Sequence, residues 1–137
     1  METNKLYNIA EDEGISVDFL PLKECGGVAL QLGGKYYIAL DPEASASPSK
    51  EKVILAHELG HCLSGGVYSP NADKAVRVRL ERQAEKWAIS QLVPKGDLVT
   101  AIKRGDEALD QLAMYFGVTE DFMQRVIKYY CETASAS

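Results

Sequence analysis

His57-Glu58-Leu59-Gly60-His61 is the stretch on which the reading of this chain turns. In a helix, residues four apart stack on one face. His57 and His61 can therefore aim both imidazoles at one metal ion. Zinc takes imidazole nitrogen readily and brings no geometric preference of its own. Glu58 lies about 100° round the helix from His57. That position reaches a water beside the ion but is badly placed to bind the ion together with both histidines. The pattern supplies two ligands and a general base. The chain holds only two histidines, and both fall in these five residues. The flanks, Val53-Ile54-Leu55-Ala56 and Leu63, mark a buried helix. Buried histidines need partners, and a metal provides one.

The rest of the composition is that of one globular domain. The chain has 137 residues, 46% hydrophobic and 26% charged, which is enough for a core without disulfide staples. The net charge of -5 opposes a nucleic-acid binder. No apolar run approaches the roughly 20 residues of a membrane span, and the N-terminal residues lack a signal-peptide layout. Three widely spaced cysteines, Cys25, Cys62 and Cys131, fit a reducing cytoplasm better than a disulfide framework. Cys62 shares a helical face with Leu55 and Leu59 and reads as a core thiol rather than a ligand.

Upstream of the motif, residues 3–13 read as a short helix stopped by Gly14. Ile15 to Phe19 alternates as a strand does. Val28–Leu32 and Lys35–Leu40 flank Gly33-Gly34, a two-residue hairpin signal, since both turn residues need positive φ. A small antiparallel sheet follows, with the motif helix as its cover. That helix is expected over 48–64, with Ser47 as N-cap, Pro48 at its first position and Gly65-Gly66 as its stop. Gly60 in mid-helix is expected where another backbone or a ligand comes close. A long helix from Asp73 to Leu92 then carries the stripe Val76, Leu80, Ala84, Trp87 and Ala88, with Arg79, Arg82 and Lys86 on its wet face.

Catalytic zinc takes three protein ligands and leaves a place for water. No third histidine exists, and Val67 stands where one pattern would put it. A carboxylate, or failing that a cysteine, must complete the set. Glu81 and Glu85 lie four apart on the long helix. Glu81, at the edge of the apolar stripe, is the expected ligand. Glu85, about 40° further toward solvent by the helical period, is expected to hold the far nitrogen of a zinc histidine.

With these residues in place, the chain resembles the ImmA/IrrE metallopeptidases, gluzincin-like enzymes often encoded by mobile elements. The resemblance rests on His57-Glu58-Leu59-Gly60-His61, on Glu81-Arg82-Gln83-Ala84-Glu85-Lys86-Trp87-Ala88 and on Gln91-Leu92-Val93-Pro94. It runs from about Val17 to Pro94. Glu81 matches the family's ligand glutamate, and Ala84 and Ala88 match its alanines. Glu85 stands where the family has asparagine and Trp87 where it has phenylalanine, while Gln91 and Val93 depart from its last block. The resemblance implies cytoplasmic cleavage of a protein, typically a helix-turn-helix repressor.

Three further helices are expected after Pro94, at about 97–103, 106–116 and 120–131, the last two as a hairpin capped by Thr119. Acidic residues slightly outnumber basic ones there, so a hairpin packed on the core is favoured over a DNA reader. Residues 132–137 are expected to be disordered. The reading is one α+β zinc metallopeptidase domain: a catalytic core over 1–94, a small antiparallel sheet packed on a zincin helix, and a helical subdomain over 95–131. Zinc sits on His57, His61 and Glu81, Glu58 is the catalytic base, and substrate backbone adds to an edge strand. Tyr36, Tyr37 and Tyr68 are unranked candidates for a second oxyanion donor. A zinc-containing regulator that binds a partner without cleaving it is the alternative.

Overall fold

A computed structural model describes residues 1–106 and 108–135. The chain folds as α1 (Thr3–Asp12), β1 (Ser16–Phe19), β2 (Gly27–Leu32), β3 (Lys35–Leu40), α2 (Pro48–Gly60), a wide π-helical turn (His61–Gly65), α3 (Lys74–Leu92), α4 (Lys95–Lys103), α5 (Leu109–Phe116) and α6 (Glu120–Ser135). The fold class is the α+β arrangement expected.

Gly33 and Gly34 close the β2–β3 hairpin with φ of 57° and 81°, the positive values a tight turn needs. The sheet is mixed, not wholly antiparallel. Its order is β1-β3-β2, and β1 runs parallel to β3. Residues 20–26 carry the chain past β3, whose end they clamp. Leu20 N–H donates to Leu40 O, and Asp41 N–H to Gly26 O. The Asp41 carboxylate accepts from Leu22 N–H at 2.8 Å and Ala44 N–H at 2.9 Å. β2 is left as an edge strand beside the motif helix.

Ser47 caps α2, its hydroxyl accepting from Lys50 N–H at 3.3 Å, with Pro48 as the first helical residue. Leu55, Ala56 and Leu59 are fully buried, sandwiched with Leu6, Ile38 and Leu40 on one side and Ala88, Ile89 and Leu92 on another. Cys62 is a buried core thiol, and burial pushes its pKa up to about 12. The expected helix stop is preceded by a change of helical type. Ser64 Oγ donates to Gly60 O, a side-chain bond that bends helices. The π turn then ends at Gly66, whose φ is 98°.

Gly60 is the point of closest approach between α2 and α3. A Cβ there would sit 2.5 Å from Ala84 O and 2.9 Å from Ala84 Cα. The neighbour is backbone and cannot rotate away. Gly60→Ala should therefore separate the helices, outweighing alanine's helix-propensity gain of about 1 kcal/mol. A net loss of about 1–3 kcal/mol is expected. Thermal unfolding of the metal-free protein checks it; an unchanged or raised Tm would show that the contact can relax.

The C-terminal helices form the packed hairpin expected. Leu112, Phe116, Val118, Phe122, Met123 and Val126 enter the common core. Gly117 (φ 66°) ends α5, and Thr119 Oγ1 accepts from Phe122 N–H at 3.2 Å at the start of α6. Tyr130 Oη donates to Val93 O at 2.6 Å, and Lys52 Nζ to Phe116 O at 3.0 Å. α6 runs on to Ser135 where residues 132–137 were expected to be disordered; Ala136 and Ser137 lie outside the described residues. Glu107, within the helix expected at 106–116, also lies outside them, and α5 begins at Leu109.

Candidate metal centre

Neighbouring turns of the motif bring His57 and His61 together, their ring centroids 5.0 Å apart. α3 crosses α2 at Gly60, and this close crossing presents Glu81 to both rings. His57 Nε2 lies 2.8 Å from Glu81 Oε1, and His61 Nε2 lies 3.1 Å from Glu81 Oε2. One ligand atom from each residue falls within 4.8 Å of the others, so the three could hold a metal ion. Tetrahedral zinc with bonds of about 2.0–2.1 Å sets its ligand atoms roughly 3.3 Å apart. The cluster is at that scale.

The far sides of the rings show why these nitrogens are the free ones. His61 Nδ1 lies 3.2 Å from Gly66 O. A carbonyl only accepts, so Nδ1 carries a proton, and Nε2 is the nitrogen turned to the cleft. The π turn makes this bond possible by folding residue 66 back over residue 61. Glu85 Oε2 lies 3.7 Å from His57 Nδ1, on the side away from Glu81. This is the placement expected for Glu85, but the exposure is reversed. The Glu85 side chain is 26% exposed against 42% for Glu81. α6 explains it: Arg125 Nε donates to Glu85 Oε1 at 3.1 Å and covers the carboxylate. Nothing in the sequence around Arg125 pointed to this.

Tyr68 is the tyrosine the fold brings to the centre. Its hydroxyl donates to Glu81 Oε2 at 2.7 Å. That bond, with burial and the carboxylate charge, raises the Tyr68 pKa and keeps its proton in place. Tyr36 and Tyr37 sit on β3, away from the cleft, which has a volume of about 440 Å³. Gly27, Val28, Ala29 and Leu30 of β2 form one wall of that cleft, facing His57, Glu58, His61, Tyr68 and Glu81. Glycine is needed at position 27, since a Cβ would meet Ile54 Cγ2 at 2.8 Å and Glu58 Cγ at 3.1 Å.

Charge is unevenly held. Burial pushes the Glu58 carboxyl above its usual range, and the two histidines only partly offset it. Burial raises the Glu81 and Glu85 carboxyls too, but their hydrogen bonds more than compensate, and both end below the usual value. Burial would lower the His57 pKa; Glu85 and Glu81 overcome this and lift it to about 9.

A family model described as Peptidase_M78, IrrE N-terminal-like domain, matches residues 10–128. The chain belongs to the Peptidase M78 family. The match takes in α5 and the first part of α6 as well as the motifs that carry the resemblance. No curated protein and no solved structure matches the chain. Among the described residues, no helix is long and apolar enough to cross a membrane. For a Peptidase M78 domain, a His-His-Glu cluster with two held imidazoles is a donor set that fits a metal of a peptidase-type centre.

Two solution measurements probe this centre. Glu85→Ala removes the carboxylate behind His57 and should weaken zinc binding about 10–100-fold. Competition with a chelating dye reads this directly; an unchanged affinity would leave Glu85 as a support for Arg125 alone. Zinc binding should also release a proton. His57 is protonated below about pH 9 in the metal-free protein, and a ligand must be neutral. Apparent affinity should therefore rise with pH through neutrality and flatten above about 9. Calorimetry in buffers of different ionisation enthalpy should find about one proton per zinc near neutral pH. None released would show that His57 is already neutral in the metal-free protein.

Proposed function

We propose that this chain is a zinc-dependent endopeptidase that cleaves a cytoplasmic protein, with a helix-turn-helix repressor as its substrate. The observation that carries the chemistry is the convergence of two oriented histidine nitrogens and one carboxylate beside a buried fourth group, Glu58. When bound, zinc supplies a Lewis acid that activates water and polarises the peptide carbonyl.

The chain's own residues supply the rest. Glu58 takes the proton as water attacks and returns it to the leaving amine. Its raised pKa suits both halves of that task, because a stronger base holds the proton long enough to deliver it. Tyr68 donates to the oxygen on which charge develops. Its hydroxyl hydrogen bond to Glu81 keeps it beside the ligand cluster until substrate arrives. The free edge of β2 pairs with substrate backbone, holding the scissile bond extended above His57 and Glu58. Strand pairing of this kind reads backbone, so it requires a segment that is unfolded or can be pulled out of its fold. The repressor itself comes from the family resemblance.

The test is incubation of zinc-loaded protein with helix-turn-helix repressors, beginning with any encoded beside it, with products read by mass spectrometry. Cleavage at one or a few bonds, stopped by a chelator and restored by zinc, is expected. Intact repressor together with unchanged affinity for it would favour a binding regulator instead.

A further inference from the structure

A second concavity, which meets the surroundings of the ligand cluster only at Glu85, is built for a different task. It runs between α3 and α6 and has a volume of about 1030 Å³. From Lys74 to Ile89 it follows α3 for roughly 22 Å, at 1.5 Å per residue. Lys74, Arg79, Arg82, Lys86, Arg125 and Lys128 line it, against only Glu85 and Glu132. Those six cations are drawn from the 15 of a chain whose net charge is -5. Among the described residues, Arg125 alone of the six has a carboxylate partner. Like charges gathered on one face repel and are usually dispersed or paired. Here they surround an apolar floor that includes Val78, 40% exposed, with Ile89 and Tyr129.

We propose that this groove is a docking site for an acidic amphipathic helix of a partner protein. The floor takes the apolar face of that helix and the rim pairs with its carboxylates. Both walls are helices, whose backbone groups are already bonded, so an extended segment would find no strand edge to pair with; a helix brings its own backbone satisfied. A groove of about 22 Å accepts about four helical turns. Nucleic acid is the weaker occupant, because the apolar floor offers nothing to phosphates and the rest of the surface is acidic. The site stands apart from the peptidase reading, since docking needs no cleavage.

The test is fluorescence anisotropy of the full-length protein with three labelled probes. The first is an amphipathic helical peptide of about 20 residues, roughly 30 Å long, with glutamates on one face and leucines on the other. The second replaces each glutamate by glutamine. The third is a duplex oligonucleotide of similar length. The acidic peptide should bind at least about tenfold more tightly than the glutamine peptide, the sum of a few exposed charge pairs, and more weakly as salt rises. The combined Arg79→Glu, Arg82→Glu and Lys128→Glu variant should lose that preference, and so should the Lys74→Glu, Lys86→Glu pair. All five side chains are exposed, and circular dichroism checks that each variant is folded. Equal binding of the two peptides, indifference to both sets of charge reversals, or tighter binding of the oligonucleotide would each overturn the proposal.

Discussion

Glu81→Ala should leave the fold intact and abolish tight zinc binding. Glu81 is the one member of the cluster contributed by α3; without it the ion keeps two nitrogens from adjacent turns of one helix. The loss should exceed the about 10–100-fold expected for a residue that only holds a ligand in place. The fold should tolerate the change, because the Glu81 side chain is 42% exposed and the α3 core residues, Leu80, Ala84 and Ala88, are untouched. Metal-free wild type and variant should therefore melt together. Excess zinc should raise the wild-type Tm, as any ligand of the native state does, and leave the variant's where it was. Tyr68 and His57 lose an acceptor, but both border the open cleft and can turn to solvent. The Glu85→Ala variant is the necessary comparison. Retention of zinc by Glu81→Ala and its loss from Glu85→Ala would exchange their roles.

The parts of this centre legible in the sequence are those set by local periodicity. His57 and His61 could be paired because four residues make one helical turn, and Glu81 because it borders the stripe that buries Leu80, Ala84 and Ala88. Gly60 carried a signal for the same reason: a residue that weakens a helix must be answered by something close, and Ala84 is that close neighbour. What periodicity cannot carry is partnership at a distance. Alternation marked Ile15 to Phe19 as a strand but did not say that its neighbour would be β3, running parallel. The helical wheel ranked Glu85 as the wetter glutamate, yet Arg125, forty positions later, covers it. The carbonyl that orients His61 belongs to Gly66 and reaches it through a π turn, a change of helical type no composition announces. Tyr68 could be named from its residue type but ranked only once the loop after Gly66 was placed. The outer supports of the centre thus come from tertiary contacts, while the three clustered side chains come from α2, the π turn and α3.

Glu58→Gln should separate chemistry from metal binding. The substitution keeps the size of the side chain and most of its hydrogen-bonding capacity, and removes the ability to accept a proton. Glu58 is 8% exposed and itself contributes no atom to the His57, His61 and Glu81 set. Zinc should stay bound at near wild-type occupancy. Stability should hold or rise slightly, since a buried carboxylate is held above its usual pKa by burial and a neutral amide carries no such cost. Peptide cleavage should fall about 10²–10⁴-fold, the usual contribution of a positioned base. The combination matters more than either number. A variant that lost both zinc and activity would show only that the centre had collapsed. A variant that held zinc and bound the repressor without cutting it would assign the proton transfer to Glu58, and could trap the substrate for identification. Cleavage by Glu58→Gln at the wild-type rate would sink the mechanism, because among the described residues no other buried carboxylate lines the cleft to replace it.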